Sequence, residues 1–169
     1  MTDQSITVVL RNEDFADEVR RSLAMAHQSV CVLAYAISPA RAIDSRLKPS
    51  VFSAMCAAAE RKLPCFIVIA DHPAASPYQQ QNNQSAVLLT QAGWTVRRHP
   101  VRPLMHCKAI IFDKRHCIIG SHNLTAAALD ANRELSLHSF DPDATETTLQ
   151  CFDTIYRAST PHGQNIRAS

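Results

Sequence analysis

The feature that most constrains this chain is a regular alternation of short, apolar, β-branched runs with segments whose apolar residues recur at helical spacing. Ile6 to Leu10, Val30 to Ile37, Cys65 to Ala70, Trp94 to His99, His106 to Phe112, His116 to Ile119 and Glu134 to Phe140 read as strands. Asp14 to Ala26 carries Phe15, Val19, Leu23 and Ala26 on one side, and Pro49 to Arg61 carries a stripe of Val51, Phe52, Met55 and Ala59. Ser85 to Ala92, closed by Gly93 as a left-handed cap, Leu124 to Leu129 and Ala144 to Arg157 complete the helices. Such alternation predicts an α/β fold, a layered α/β/α sandwich around a mixed, mostly buried sheet. One domain over residues 1–158 with a frayed tail at 159–169 fits the length and the polar ending. Asp71 to Gln84, polar and containing Pro73 and Pro77, reads as a long loop, either a plain connection or a lid at the substrate rim.

Composition narrows the class. With 46% hydrophobic and 19% charged residues and no block of like charges, the chain is globular rather than disordered. No apolar run approaches the roughly 20 residues of a membrane-spanning helix. Met1 to Leu10 lacks the basic flank and apolar stretch of a secretion signal, so a cytoplasmic location is expected. Cys31, Cys56, Cys65, Cys107, Cys117 and Cys151 are scattered, mostly in apolar runs, and read as buried free thiols. A formal charge of +2 identifies no partner, because a polyanion can be met by a local patch.

The chemistry concentrates in Met105-His106-Cys107-Lys108, continues through Asp113 and Gly120-Ser121-His122-Asn123, and ends at Asn132-Arg133-Glu134. Successive strand side chains point to opposite faces, so His106 and Lys108 share a face while Asp113 has the other parity. Ser121 and Asn123 repeat the two-residue offset where the next strand ends, and Gly120 lets backbone approach a ligand. One nucleophile or base, one fixed cation and several neutral donors suit a phosphodiester, because attack at phosphorus concentrates charge on the non-bridging oxygens. Histidine serves either as nucleophile, through a phosphohistidine, or as general acid to the departing oxygen, but one imidazole cannot do both in one step. The chain carries one such motif, so a two-fold homodimer sharing one active site is the simplest way to place a second His106 across the phosphorus. The scheme calls for no metal or other cofactor.

The spacing His-x-Lys, four residues, Asp, six residues, Gly-Ser-x-Asn resembles the signature of the phospholipase D superfamily, in its short single-motif branch. Six specified positions at about 5% usage each match by chance on the order of 10⁻⁸ per window. The likeness extends to Val30 to Ile37 with Tyr35, Arg61 to Asp71, and Gly93-Trp94-Thr95-Val96, and covers most of residues 5–157. It implies that His106 is the nucleophile and His106 of a second copy the general acid. It also implies that Lys108 and Asn123, with Ser121, bind phosphate, that Asp113 supports structure, and that Glu134 orients a catalytic histidine. Members of this short type are dimeric, metal-independent nucleases, so an endonuclease of low sequence specificity acting on DNA or RNA is expected.

Other readings stand beside this one. The same site suits a phospholipid-headgroup hydrolase or transferase, and the fold suits a non-catalytic nucleic-acid-binding module. Arg97, Arg98 and Arg102 precede the catalytic strand and Lys114 and Arg115 follow it, so they flank the phosphate or simply face solvent. His122 and His138 line the site or are exposed; His27, His72, His99 and His162 offer no case. Tyr78 and Trp94 are candidates to stack on bases, although Trp94 reads first as a core residue. His106-Cys107 and His116-Cys117 suggest zinc, but neighbouring strand residues point apart, so neither pair converges on one ion.

Overall fold

The computed structural model describes residues 6–39 and 48–163. Among them, eight strands form one sheet: β1 (Thr7–Arg11), β2 (Val30–Ala34), β3 (Cys65–Ala70), β4 (Thr95–His99), β5 (Lys108–Phe112), β6 (His116–Gly120), β7 (Leu135–Ser139) and β8 (Thr160–Pro161). Their order is β1-β7-β6-β5-β2-β3-β4-β8. The helices are α1 (Asn12–Met25), α2 (Val51–Glu60), α3 (Pro77–Ala92), α4 (Ala126–Asp130) and α5 (Pro142–Arg157). β2, β3 and β4 run parallel, with α2 and α3 as crossovers, and the remaining neighbours are antiparallel. No helix of the described residues is long and apolar enough to cross a membrane.

The pleat sorts β5 into two cores. Ile110 and Phe112 join Phe15, Val19, Leu23, Met55 and Leu89 under the helices of one face. Ala109 and Ile111 join Leu33, Val68, Cys117 and Phe152 under α5 on the other. The α/β/α expectation therefore holds, because strands buried on both faces leave no side for water. The described cysteines are free thiols, Cys31, Cys65 and Cys117 buried and Cys151 exposed. Burial pushes the Cys31 thiol up to about 12.

Two expectations fail. Asp71 to Gln84 is not a long loop or lid: α3 begins at Pro77, with the Ser76 hydroxyl accepting from the Tyr78 amide at 3.3 Å. Two of the helix's polar residues, Asn82 and Ser85, are buried while Gln80, Gln81, Asn83 and Gln84 face outward. Asn82 accepts from the Ile37 amide at 2.9 Å and donates to the carbonyls of Tyr35 at 3.0 Å and Ala70 at 2.9 Å. Ser85 donates to the Ile37 carbonyl at 3.0 Å. These side chains satisfy the backbone leaving β2 and β3, which would otherwise be buried unpaired. Nor is the tail frayed directly after residue 158. Thr160 and Pro161 pair with β4, and the His162 amide donates to the Val96 carbonyl at 2.9 Å; residues 164–169 lie outside the described residues. A smaller difference concerns α2, which is capped by Ser50 rather than opened by Pro49.

Asp113 locks the far end of β5. Its carboxylate accepts the amides of His27 at 3.1 Å, Gln28 at 2.7 Å and Ser29 at 3.0 Å, and its own amide donates to the Ser29 carbonyl at 2.8 Å. Burial raises its pKa, but those three donors and the His27 ring outweigh burial and hold the carboxyl below its ordinary value. Gly120 performs a second packing task. A Cβ there would meet the Leu135 carbonyl and the Ser136 Cα at 2.5 Å each, so the close approach glycine permits is to β7, not to a ligand.

Two stability predictions follow from these contacts. Asp113→Ala should cost about 1–3 kcal/mol in urea unfolding at pH 7, because the buried Ser29 amide and the part-buried amides of His27 and Gln28 lose their charged acceptor. A depressed folded pKa contributes stability that is complete above the unfolded value of about 3.9 and is lost as pH falls through the folded value, so the gap between parent and variant should close in acid. Gly120→Ala should cost about 1–3 kcal/mol, because β6 and β7 must part to admit the methyl group; an unchanged urea midpoint would contradict the packing.

Candidate active site

One end of the sheet gathers the carboxyl ends of β2, β3 and β6 and the amino ends of β5 and β7. Lys108, the first residue of β5, pairs with Ala34 at the end of β2. His106 sits two residues earlier on the same face. Lys108 Nζ lies 3.3 Å from His106 Nε2 and donates to the His106 carbonyl at 2.9 Å. Tyr35, just past β2, closes this group. Its ring meets His106 edge-on with centroids 4.4 Å apart, and Lys108 Nζ lies 4.6 Å from the same ring.

The β6–β7 side supplies the polar wall. The Ser121 hydroxyl donates to Glu134 and accepts the Leu135 amide at 3.0 Å. The second Glu134 oxygen accepts from Asn132 Nδ2 at 3.0 Å, and the Glu134 amide donates to Asn12 Oδ1 at 2.8 Å. Asn123, half-buried, has an Oδ1 with no hydrogen-bond partner. Lys108 and Asn123 line one small cavity together with Gly120, His122 and Ser136. Glu134 thus bonds to Ser121 and Asn132 and not to His106 of its own chain.

These contacts set the protonation states. Partial burial, the Lys108 ammonium and His72 hold His106 below the ordinary histidine value, which favours the neutral imidazole. Burial pushes Lys108 down, while Cys107 and Glu134 pull the other way. Burial also opposes ionisation of Glu134, but the bonds from Ser121 and Asn132 and the charges of His122 and Lys108 prevail and keep it below its ordinary value. The site therefore offers an imidazole biased towards its neutral form, an ammonium in contact with it, and a carboxylate biased towards ionisation.

Of the other expected neighbours, His122 forms part of the cavity floor and most of the rest are held away from it. His122 is 2% exposed, stacks on Phe15 at 4.1 Å and bonds Ser136 Oγ at 2.8 Å, so it supports the floor and is closed to substrate. Arg98 is buried in an ion pair with Asp71 and donates to the Asn82 carbonyl at 3.0 Å. Arg97 donates to the Ser159 carbonyl and lies over the Tyr156 ring at 4.6 Å. Both guanidiniums therefore brace β4, and of the expected arginines only Arg102 is exposed, on the segment leading to His106. Lys114 and Arg115 are at the opposite end of β5, roughly 16 Å away at the usual strand rise. His138 is also remote, its ring bonded to Glu18 at 2.8 Å and His116 at 2.7 Å. His116-Cys117 shares that remote end, so the two His-Cys pairs do not converge, and no cluster able to hold a metal is found among the described residues.

Sequence reasoning missed His72. Its Nε2 bonds the Tyr35 carbonyl at 2.8 Å and its ring contacts Tyr35 at 4.6 Å, so it fixes the residue that packs on His106. A histidine directly after a strand that ends at the site mouth was the available signal.

Comparison with known proteins agrees with this geometry. The family model described as "Cardiolipin synthase, PLD-like domain" matches residues 19–156. A segment of 84 residues, 50% of the chain, is 36% identical to mitochondrial cardiolipin hydrolase of Homo sapiens and spans 33% of that relative's length. A phospholipase D family member, Nuc from Salmonella typhimurium, superposes with a TM-score of 0.75 at 20% identity, covering 94% of this chain and 99% of that one. NucT from Helicobacter pylori gives 0.72 at 14% identity over 94% and 99% of the two chains. At such identities the solved structures show a common fold, whereas the family model runs through nearly all the described elements and the site: this chain belongs to the family of phospholipase D-like domains.

Proposed function

We propose that the chain hydrolyses nucleic-acid phosphodiesters without a metal and with low sequence specificity, through a phosphohistidine formed in a homodimer where two copies of His106 face one phosphorus. The observation that carries this reading is the 3.3 Å contact of Lys108 Nζ with His106 Nε2, opposite the Ser121–Glu134 pair. Lys108, with Asn123 and Ser121, would hold the non-bridging oxygens as charge develops there. The neutral His106 would donate its lone pair to phosphorus while the P–O bond to the leaving strand breaks. The imidazolium of the second copy would give its proton to that oxygen. Water would then attack phosphorus, lose a proton to the same imidazole, and displace His106. Glu134 bonds no histidine of its own chain, so an orienting role in this scheme falls on His106 of the second copy.

A lipid reading is favoured by one observation, the 36% identity to a protein named cardiolipin hydrolase. Cardiolipin is also a phosphodiester, and the same displacement would release phosphatidic acid from it.

With labelled single- and double-stranded DNA and RNA in EDTA, the parent should cleave and His106→Ala should lose about 10³-fold or more in kcat/KM. Cleavage of cardiolipin vesicles but not of nucleic acid would move the assignment to lipid. Binding of nucleic acid without any cleavage product would make the chain a binding module. Mixing parent with increasing His106→Ala protein, after subunit exchange, tests the shared site. Activity should fall with the square of the parent fraction if each reaction needs both imidazoles, and a linear fall would show independent sites.

A further inference from the structure

We infer that Tyr78, in the first turn of α3, is the stacking platform for a nucleobase next to the scissile phosphate. The inference rests on the nucleic-acid reading above and names how that substrate is gripped beyond its phosphate.

A run of rings leads from the nucleophile to Tyr78. His106 meets Tyr35 at 4.4 Å between centroids, and Tyr35 meets Tyr78 at 5.7 Å with planes 63° apart. His72 touches both tyrosines, at 4.6 and 5.5 Å. Within this group Tyr35 is committed: Lys108 Nζ lies over its ring, and its other contacts are to His106, His72 and Tyr78. Tyr78 is the ring left open, 37% exposed at the outer end of the run.

Trp94, the other candidate for stacking, and the remaining large rings near the sheet are unsuited. Trp94 is buried and its indole donates to the Met55 carbonyl at 2.9 Å. Phe140 is exposed but stacks on His116 at the opposite end of the sheet. Tyr156 lies under Arg97.

Tyr78 is also held ready. Its amide bonds the Ser76 cap, the adjacent Gln79 accepts the His72 amide at 2.5 Å, and Asn82 one turn on donates to the Tyr35 carbonyl. A platform fixed by its neighbours loses little freedom when a base lands on it. Stacking is tolerant of sequence, because every base has a π-face, so this grip adds affinity without base selection. The chemistry required of the ligand is a flat aromatic group one or two backbone steps from a phosphodiester, which a diacylglycerol phosphate does not provide.

The test compares parent, Tyr78→Ala and Tyr78→Phe on two labelled single-stranded DNA oligonucleotides of equal length, one carrying bases and one built of abasic nucleotides. Cleavage in EDTA is read as kcat/KM, and affinity by fluorescence anisotropy in a His106→Ala background. The parent should prefer the base-bearing strand by about tenfold. Tyr78→Ala should erase that preference and Tyr78→Phe should keep it. A preference that survives in Tyr78→Ala, or its absence in the parent, would overturn the inference, as would failure to bind either strand. Base-dependent binding through Tyr78 without cleavage would sink the hydrolytic reading and leave the platform standing. Cleavage indifferent to bases would do the reverse.

Discussion

The register of β5 is the constraint on which the rest depends. This strand lies between β2 and β6, with Ala34 opposite Lys108 at one end and Val30 opposite Phe112 at the other. Because side chains alternate, a slip by one residue would carry Lys108 away from the mouth and exchange the two cores, Ile110 and Phe112 for Ala109 and Ile111. Asp113 prevents the slip by gathering the amides of residues 27–29, where β2 begins. It does so from a left-handed backbone, φ 54°, followed by Lys114 at φ 56°, and the Arg115 amide closes the turn on the Phe112 carbonyl at 3.0 Å. Positive φ at both central positions is the hairpin geometry that matches strand twist, and aspartate tolerates it. One side chain thus sets a turn, a strand register and the position of two residues at the other end of the sheet.

At that end, the electrostatics follow from placing unlike groups on one short segment. Partial burial and the ammonium touching it both favour the neutral imidazole of His106, while Cys107 and the Glu134 carboxylate oppose the effect of burial on the Lys108 ammonium. The result suits attack on a phosphorus already neutralised by lysine. It does not suit protonation of a leaving group by the same ring, which is why the proposed chemistry asks for a second imidazole in a different state.

Much of this was legible in the sequence. Alternating periodicities gave the α/β/α layers, and the offset of His106 from Lys108 put them on one face. Three features were hidden because tertiary contacts, not local pattern, decide them. Asn82 read as solvated loop and Ser85 as the start of a helix, yet both are fully buried partners of the backbone after β2, and a polar side chain does not announce whether its partner is water or a carbonyl. Arg98 read as flanking the phosphate or facing solvent because Asp71, the partly exposed counterion that holds it, is distant in sequence. Tyr35 and His72 follow strands whose parallel pairing brings both ends to the same mouth, which no local window contains.

The central claim, a covalent histidine intermediate shared between two copies, is tested most directly by rapid alkaline quench and mass spectrometry of the protein during a single turnover. The account predicts a base-stable phosphoryl adduct on the peptide containing His106, on one chain of each dimer at most. An adduct on Ser121, occupancy of every His106 at once, or turnover with no adduct at any time point would contradict it.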